Sequence, residues 1–165
     1  MHALTLYLRD AAATTNVGAA LAPALAGGMV VALQGDLGAG KTTLARGVLR
    51  ALGVEGPIKS PSYALVEHYP LSSIYFYHLD FYRFDNPAEW DTAGLAECFR
   101  ADSVCLIEWP ERVASLLPPL DLTLALSLAP ATRDGRTLVA HAGSEAGERC
   151  LSAIEAASVG RRPPD

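Results

Sequence analysis

The stretch MVVALQGDLGAGKTTLARGVLRAL, residues 29–52, predicts a strand, a glycine-rich loop and a helix in direct succession. The apolar run 29–33 is short and partly β-branched, which is typical of a buried parallel strand. From Thr42 onward, leucines and valines recur at helical spacing until Gly53 provides a stop signal. This strand–loop–helix unit indicates an α/β domain.

The loop fits the pattern G-x-x-x-x-G-K-[ST]. Its glycines allow backbone N–H groups to close around phosphate oxygens, Lys41 reaches the β- and γ-phosphates, and the Thr42 hydroxyl binds Mg²⁺. The start of the following helix adds unpaired N–H groups and a positive dipole end. The alternative is a glycine-rich turn with an exposed lysine, but the strand and helix stand where a nucleoside triphosphate site requires them. The predicted nucleotide contacts here are Gly35, Asp36, Leu37, Gly38, Ala39, Gly40, Lys41, Thr42 and Thr43.

Composition bounds the remaining possibilities. With 165 residues, of which 50% are hydrophobic, the chain is large enough for one domain with a real core. The net charge of −5, with no segment rich in Lys or Arg, excludes an autonomous nucleic-acid binder, so any RNA contact needs a partner. Three cysteines without metal-site spacing, and no apolar leader or membrane-length run, predict a cytoplasmic location.

Hydrophobic periodicity predicts further elements on both sides of the loop. Strand-type segments are 3–8, 60–68, 74–78, 103–107, 120–128 and 136–141. Helical segments are 11–26, 88–93, 95–99, 111–117 and 144–157. We therefore expect a single P-loop NTPase-like domain over 1–158, with three α/β/α layers, a mixed, mainly parallel sheet and a late β-hairpin. The tail 159–165 is expected to be disordered.

Two acidic residues follow apolar strand segments. Glu108 comes directly after the run 104–107, and Asp80 lies just past the run 74–78. Since the carboxyl ends of parallel strands face the ligand crevice, both side chains are expected near the phosphates. Glu108 is the predicted Mg²⁺ acid, and Asp80 is a second Mg²⁺ ligand or a water-positioning group. The alternatives are a solvated carboxylate for Glu108 and a turn-forming aspartate for Asp80.

Several other side chains give less specific signals. A hydroxyl of Ser60 or Ser62 is placed to reach Mg²⁺ or the γ-phosphate, although such serine–proline clusters are usually plain turns. Trp109 either borders the nucleotide or packs. Arg83 and Arg112 either stabilise transferred-phosphate charge or are solvated.

The base is predicted from the asparagines. Guanine-specific phosphate-loop proteins have an N-K-x-D motif, by resemblance, whereas Asn16 and Asn86 are followed here by Val17 and Pro87. Adenine is therefore the expected base, with ATP as the nucleotide and ADP as the product.

Four motifs occur in order: GDLGAGKTT at 35–43, SPSY at 60–63, HLDFYR at 78–83 and EWPER at 108–112. Together they closely resemble the TsaE (YjeE) family, small bacterial ATPases needed for threonylcarbamoyladenosine modification of tRNA next to the anticodon. The resemblance extends over roughly the whole chain up to the late hairpin.

This resemblance implies roles for individual residues. Lys41 and Thr42 match the family's phosphate and Mg²⁺ ligands, Glu108 matches its strand-end Mg²⁺ acid, and Asp80 matches the acid essential for turnover. Thr14, in the pattern T-x-x-x-G, matches an early nucleotide-contacting threonine.

Two further matches are less complete. Ser62 stands where the family's switch-like loop usually has threonine, so the hydroxyl is kept and a methyl group is lost. Gly135 and Arg136 match a late G-R element, and Arg136 is predicted to contact the nucleotide.

By resemblance, the chain is expected to hydrolyse ATP with Mg²⁺, slowly alone and faster with the TsaD and TsaB proteins. It would meet tRNA only through that complex, and neither DNA nor a membrane is an expected partner. Two alternatives stay open. One is a small-molecule kinase, which needs an acceptor site and usually a lid. The other is an assembly module in which nucleotide binding without hydrolysis controls partner docking.

Overall fold

The computed structural model of this protein describes residues 2–158, so the predicted disordered tail lies outside the described residues. The strands are β1 (Ala3–Leu8), β2 (Val30–Gln34), β3 (Val66–Pro70), β4 (Tyr75–Asp80), β5 (Ser103–Glu108), β6 (Leu122–Leu128) and β7 (Arg136–Ala142). The α-helices are α1 (Ala11–Leu21), α2 (Lys41–Ala51), α3 (Ala88–Thr92) and α4 (Glu145–Ser158). Short 3-10 helices occupy Ala22–Ala24, Leu95–Cys98 and Pro110–Val113.

All of these strands form one seven-stranded sheet in the order β1-β7-β6-β2-β5-β4-β3. The neighbours β6, β2, β5 and β4 pair in parallel. The pairs β6–β7, β1–β7 and β3–β4 are antiparallel, so only β7 and β3 run against the other five strands. The predicted mixed, mainly parallel sheet and late hairpin are confirmed.

Helical segments cover both faces of the sheet. In β5, Val104 and Leu106 join a core cluster with residues of α1, α2 and α4, whereas Cys105 and Ile107 join a second cluster with α3 and Leu95–Cys98. Because alternate residues of a strand point to opposite faces, these clusters lie on opposite sides of the sheet. The α/β/α layering is therefore confirmed, with a thinner second helical layer.

Two glycines allow α1 and α2 to pack closely. A Cβ atom at Gly18 would collide with the Leu44 carbonyl of α2, and one at Gly47 would collide with the Thr15 carbonyl of α1. Larger side chains at either position would push the helices apart. This contact fixes the direction of α2, whose first turn borders the glycine-rich loop.

Four expectations about local structure are wrong. The helix predicted over 11–26 ends at Leu21, because the Ala22–Ala24 turn contains Pro23, which lacks a backbone donor. Residues 61–65 form turns, and β3 begins only at Val66. The segments 95–99 and 111–117 contain only short 3-10 helices, since single turns between breaker residues do not nucleate α-helix.

Within residues 2–158, the helices are all too short or too polar to cross a membrane.

Candidate nucleotide-binding site

The glycine-rich loop connects β2 to α2 and turns sharply at its glycines. Gly35, Gly38 and Gly40 have φ values of 145°, 79° and 108°, a backbone region that side chains with a Cβ atom rarely adopt. Helix α2 begins at Lys41, and its first intrahelical bond runs from the Leu44 amide to the Gly40 carbonyl. The N–H groups at the start of α2 are therefore free for an anion.

A cavity of about 210 Å³ opens at this loop. Its lining combines the loop and first turn of α2, residues 37–43, with side chains from the carboxyl ends of β4 and β5 and the loops beside them. These further lining residues are Ser62, Asp80, Tyr82, Glu108 and Trp109. Another cavity, of about 220 Å³ between β1, α1 and α4, is lined by no acidic, basic or thiol side chain. Of these two cavities, only the one at the loop is lined by acidic and basic side chains.

Glu108 is the central acid of this cavity. Its side chain is buried, and its carboxylate accepts a hydrogen bond from the Thr42 hydroxyl, 3.1 Å from Oε1 and 3.3 Å from Oε2. Nε2 of the fully buried His78 lies 2.7 Å from Oε2. An ionised carboxylate can only accept a hydrogen bond, so it would pair with a form of His78 that carries a proton on Nε2. The other ring nitrogen, Nδ1, has no hydrogen-bond partner among residues 2–158.

Asp80 lies beside Glu108 because of strand register. The parallel pairing of β4 with β5 sets Asp80 directly opposite Glu108. Oδ1 accepts from the Tyr82 amide at 2.9 Å, and Oδ2 accepts from the Ser62 hydroxyl at 3.2 Å. Burial, reinforced by the charge of Glu108, raises the pKa of Asp80, and the two hydrogen bonds oppose that rise. A carboxyl group with a raised pKa beside a phosphate loop is suited to water positioning or proton transfer.

Lys41 is held at the loop itself. Its buried ammonium donates to the carbonyls of Gly35 and Asp36 and lies 4.2 Å from the centre of the Trp109 ring. Burial lowers the pKa of Lys41, while the carboxylates of Glu108 and Asp80 act in the opposite direction. The cation therefore lies between the loop carbonyls and an aromatic wall, close to the acidic pair.

The loop before β3 contributes Ser62 to the cavity and exposes its neighbour Tyr63. The Ser60 and Ser62 hydroxyls are 2.8 Å apart, which orients the hydroxyl that reaches Asp80. Tyr63 is 86% exposed, and the Arg83 guanidinium covers its ring and donates to its hydroxyl at 3.2 Å. Arg83 thus contacts this loop and does not line the cavity.

Trp109 lines the cavity in an unusual backbone conformation. Its φ of 57° is left-handed, and its ring lies 5.0 Å from that of Tyr82. Arg112 lies over the other aromatic residue, 6.0 Å from the Tyr82 ring, and is absent from the cavity lining. The two rings form one wall of the cavity beside Lys41.

Some predicted contacts lie outside the cavity lining. Thr14 is buried in α1 behind Gly40, and its hydroxyl points to the Asp10 carbonyl at 3.4 Å. Gly35 and Asp36 form the base of the loop, where their carbonyls face Lys41. Arg136 bonds to the loop backbone. Roles for Thr14 and Arg136 in nucleotide contact stay predictions.

The sequence patterns predict no role for His78 or Tyr82, although both lie in the stretch HLDFYR. A signal for His78 existed, because residues two apart in a strand share a face. His78 and Asp80 therefore point to the same side of β4, toward the acid of the neighbouring strand.

Comparison with known proteins is informative over most of the chain. The sequence profile described as threonylcarbamoyl adenosine biosynthesis protein TsaE matches residues 8–138. The chain belongs to the TsaE family. The tRNA threonylcarbamoyladenosine biosynthesis protein TsaE of Haemophilus influenzae is 37% identical over 159 residues, which cover 93% of this chain and 99% of that protein. TsaE of Treponema pallidum is 39% identical over 72% of this chain and 87% of its own length.

The fold agrees with the family. The crystal structure of YdiB from Bacillus subtilis superposes with a TM-score of 0.78 and 26% sequence identity, covering 94% of this chain and 95% of that one. The resemblance drawn from the four motifs is thus confirmed, and with it a place among proteins of threonylcarbamoyladenosine biosynthesis.

Proposed function

We propose that this TsaE-family chain hydrolyses ATP in the presence of Mg²⁺ and acts with TsaD and TsaB in the threonylcarbamoyladenosine modification of tRNA. The observation that carries the proposal is the hydrogen bond from Thr42, in the phosphate loop, to Glu108, at the end of β5. It joins the group expected beside the phosphates to the acid expected beside the metal. A cytoplasmic location belongs to the same proposal.

The residues fit a magnesium ion bound together with phosphates. Thr42, Glu108 and Asp80 offer hydroxyl and carboxylate oxygens, which are the ligands that Mg²⁺ prefers. Within residues 2–158, no group of three His, Cys, Asp or Glu side chains could hold a metal by itself. That absence suits Mg²⁺, which usually binds through one or two carboxylates with the remaining positions taken by water and phosphate. When bound, the ion would neutralise phosphate charge.

The chain's own groups supply binding, orientation and proton transfer. N–H groups of the loop and of the first turn of α2 bind phosphate oxygens, and the Lys41 ammonium neutralises their charge. Asp80 is held at both oxygens, so it can orient a water molecule toward the terminal phosphate and accept its proton. Trp109 and Tyr82 form an apolar wall that limits access of other water molecules.

Dependence on partner proteins is supported by the surface and the charge. Leu37, at the tip of the loop, is 66% exposed, and Tyr63 is 86% exposed, so large apolar side chains flank the cavity. We assign both side chains as candidate contacts of the partner proteins. The net charge of −5 disfavours direct tRNA binding, which is assigned to the partners.

The test is steady-state ATP hydrolysis by the chain alone and after addition of TsaD and TsaB. We expect slow turnover alone, marked stimulation by the pair, and loss of both in Asp80→Asn. The matched control is Asp85→Asn, an exposed aspartate outside the cavity, which should behave as wild type. Absence of stimulation would contradict the partner-dependent mechanism. Intact tRNA modification with Asp80→Ala and Glu108→Ala, but not with Lys41→Ala, would favour the non-hydrolytic assembly module.

A further inference from the structure

Arg136 is bound to the phosphate loop from the side of the late hairpin. It opens β7, directly after the turn at 133–135. Its Nε donates to the Ala39 carbonyl at 3.1 Å, and Nη2 donates to the Gly38 carbonyl at 3.1 Å. Nη1 donates to the carbonyls of Gly135, at 3.0 Å, and Arg133, at 3.4 Å. All three guanidinium nitrogens therefore hold backbone oxygens.

The surroundings of this side chain favour a role other than direct contact with the nucleotide. Arg136 does not line the cavity at the loop. Reaching a phosphate would require the guanidinium to give up several carbonyl bonds at once, and hydrogen bonds from a charged donor are among the stronger ones.

We propose that Arg136 is a positioning residue, which holds the loop so that the Gly40 N–H is presented to phosphate and the turn closed by the Ala39 N–H is kept. In a trans peptide the C=O and N–H groups point in opposite directions. When Arg136 holds the Ala39 carbonyl, the N–H of Gly40 is therefore turned away from the hairpin, and Gly40 lines the cavity.

The second held carbonyl acts within the loop. Fixing the Gly38 carbonyl turns the Ala39 N–H toward the Asp36 carbonyl, which accepts it at 3.0 Å and closes the turn. A cation bonded to both carbonyls also polarises these peptides, which makes their N–H groups better donors. The effect on catalysis rests on the proposed function, whereas the effect on loop order does not.

The experiment uses the full chain and two variants. Arg136→Met removes the planar guanidinium but keeps part of the aliphatic side chain, and Arg136→Lys keeps the charge without the guanidinium. Arg133→Met is the matched control, because that exposed side chain lies in the same turn and contributes only its backbone carbonyl to the contacts above. Amide hydrogen exchange over residues 35–43 is measured without nucleotide, and dissociation constants are measured for ATP and ADP.

We expect Arg136→Met to speed amide exchange in the loop. The dissociation constants for ATP and ADP should rise by the same factor, at least about tenfold, as loss of a charge-assisted bond predicts. Arg136→Lys should recover only part of both effects, since an ammonium cannot bond several carbonyls in a fork. Arg133→Met should match wild type in both measurements.

Unchanged loop exchange in Arg136→Met would overturn the proposal, even with lower thermal stability. Weaker binding of ATP with unchanged binding of ADP would also overturn it, because that pattern identifies a direct γ-phosphate ligand. If Arg136→Met does not fold, Arg136→Lys decides: faster loop exchange supports the proposal, and wild-type exchange with wild-type affinities overturns it. A wild-type chain that binds neither nucleotide contradicts the proposed function, and hydrogen exchange still tests the positioning of the loop.

Discussion

The cavity has a loop half and a strand half, whose residues are positioned in different ways. The loop half, residues 35–43, is continuous in sequence, and its shape follows from glycines at positive φ and the start of a helix. The strand half, Asp80 and Glu108, comes from β4 and β5, whose pairing sets the two acids opposite each other, and His78 contacts Glu108 from outside the cavity lining. The comparison indicates that the loop proposed to bind phosphate is shaped by local sequence, whereas the carboxylates proposed to manage metal and water depend on sheet register.

The largest effect is expected from breaking the loop half at Lys41. Lys41→Ala should lower the maximal rate of ATP hydrolysis by at least about a hundredfold, because a positioned donor to the developing phosphate charge is lost. The matched control is Lys59→Ala, which removes the chain's one other lysine, an exposed residue outside the cavity. Hydrolysis close to the wild-type rate in Lys41→Ala would show that the loop does not act on phosphate.

The strand half is best broken through His78, which touches Glu108 and lies outside the cavity lining. His78→Leu should raise the Mg²⁺ concentration needed for half-maximal hydrolysis by about 10- to 100-fold, as is typical when a group that orients a metal ligand is lost. His78→Gln should lose less, since its amide can still donate to Glu108. His68→Gln, an exposed histidine on β3, is the control. Identical Mg²⁺ dependence in His78→Leu and wild type would remove His78 from the site.

The same division explains what the sequence could predict. The loop, α2 and the predicted roles of Lys41 and Thr42 follow from a pattern whose physics is contained in a few neighbouring residues. Glu108 and Asp80 were found because each follows an apolar strand, but their mutual position needed the pairing of β4 with β5.

What the sequence left out depends on contacts between distant residues. Arg136 was predicted as a nucleotide contact, and nothing in the sequence shows that it meets the carbonyls of Gly38 and Ala39 almost a hundred residues away. The sequence predicts strand over 60–68, since Tyr63 and Val66 favour strands, whereas Pro61 and the paired serine hydroxyls favour the turns found at 61–65.

An intermediate effect is expected from the scaffold that directs α2. Gly47→Ala would place a methyl group against the Thr15 carbonyl of α1, so the free energy of unfolding should fall by about 1–3 kcal/mol, the usual range for overpacking. Arg46→Ala, on the exposed side of the same helix, should change it by less than about 0.5 kcal/mol. Urea unfolding monitored by circular dichroism measures both variants. Equal stability of Gly47→Ala and wild type would show that the helices can separate without loss.

The smallest effect is expected in the pH dependence of the melting temperature when Asp80 is replaced. Since burial and the charge of Glu108 raise the pKa of this carboxyl in the folded chain, the folded state holds the proton more tightly than the unfolded state. Protonated Asp80 therefore contributes to the stability of the folded state at low pH, and this contribution is lost as pH rises through the raised pKa. Asp80→Asn should therefore match wild type in melting temperature at low pH and melt slightly higher at neutral pH. Asp85→Asn, at an exposed position, should show no such divergence. The opposite trend would mean that the carboxylate is stabilised by its surroundings.

The claim that loop and strands form one site is tested most directly by the Mg²⁺ dependence of ATP affinity in wild type and Glu108→Gln. Calorimetric titration with Mg²⁺ present, and again with a chelator, gives four dissociation constants. We predict that both proteins bind ATP equally in chelator, and that Mg²⁺ strengthens binding to wild type but not to Glu108→Gln. The same gain from Mg²⁺ in both proteins would contradict the account, because Glu108 would then take no part in the nucleotide site.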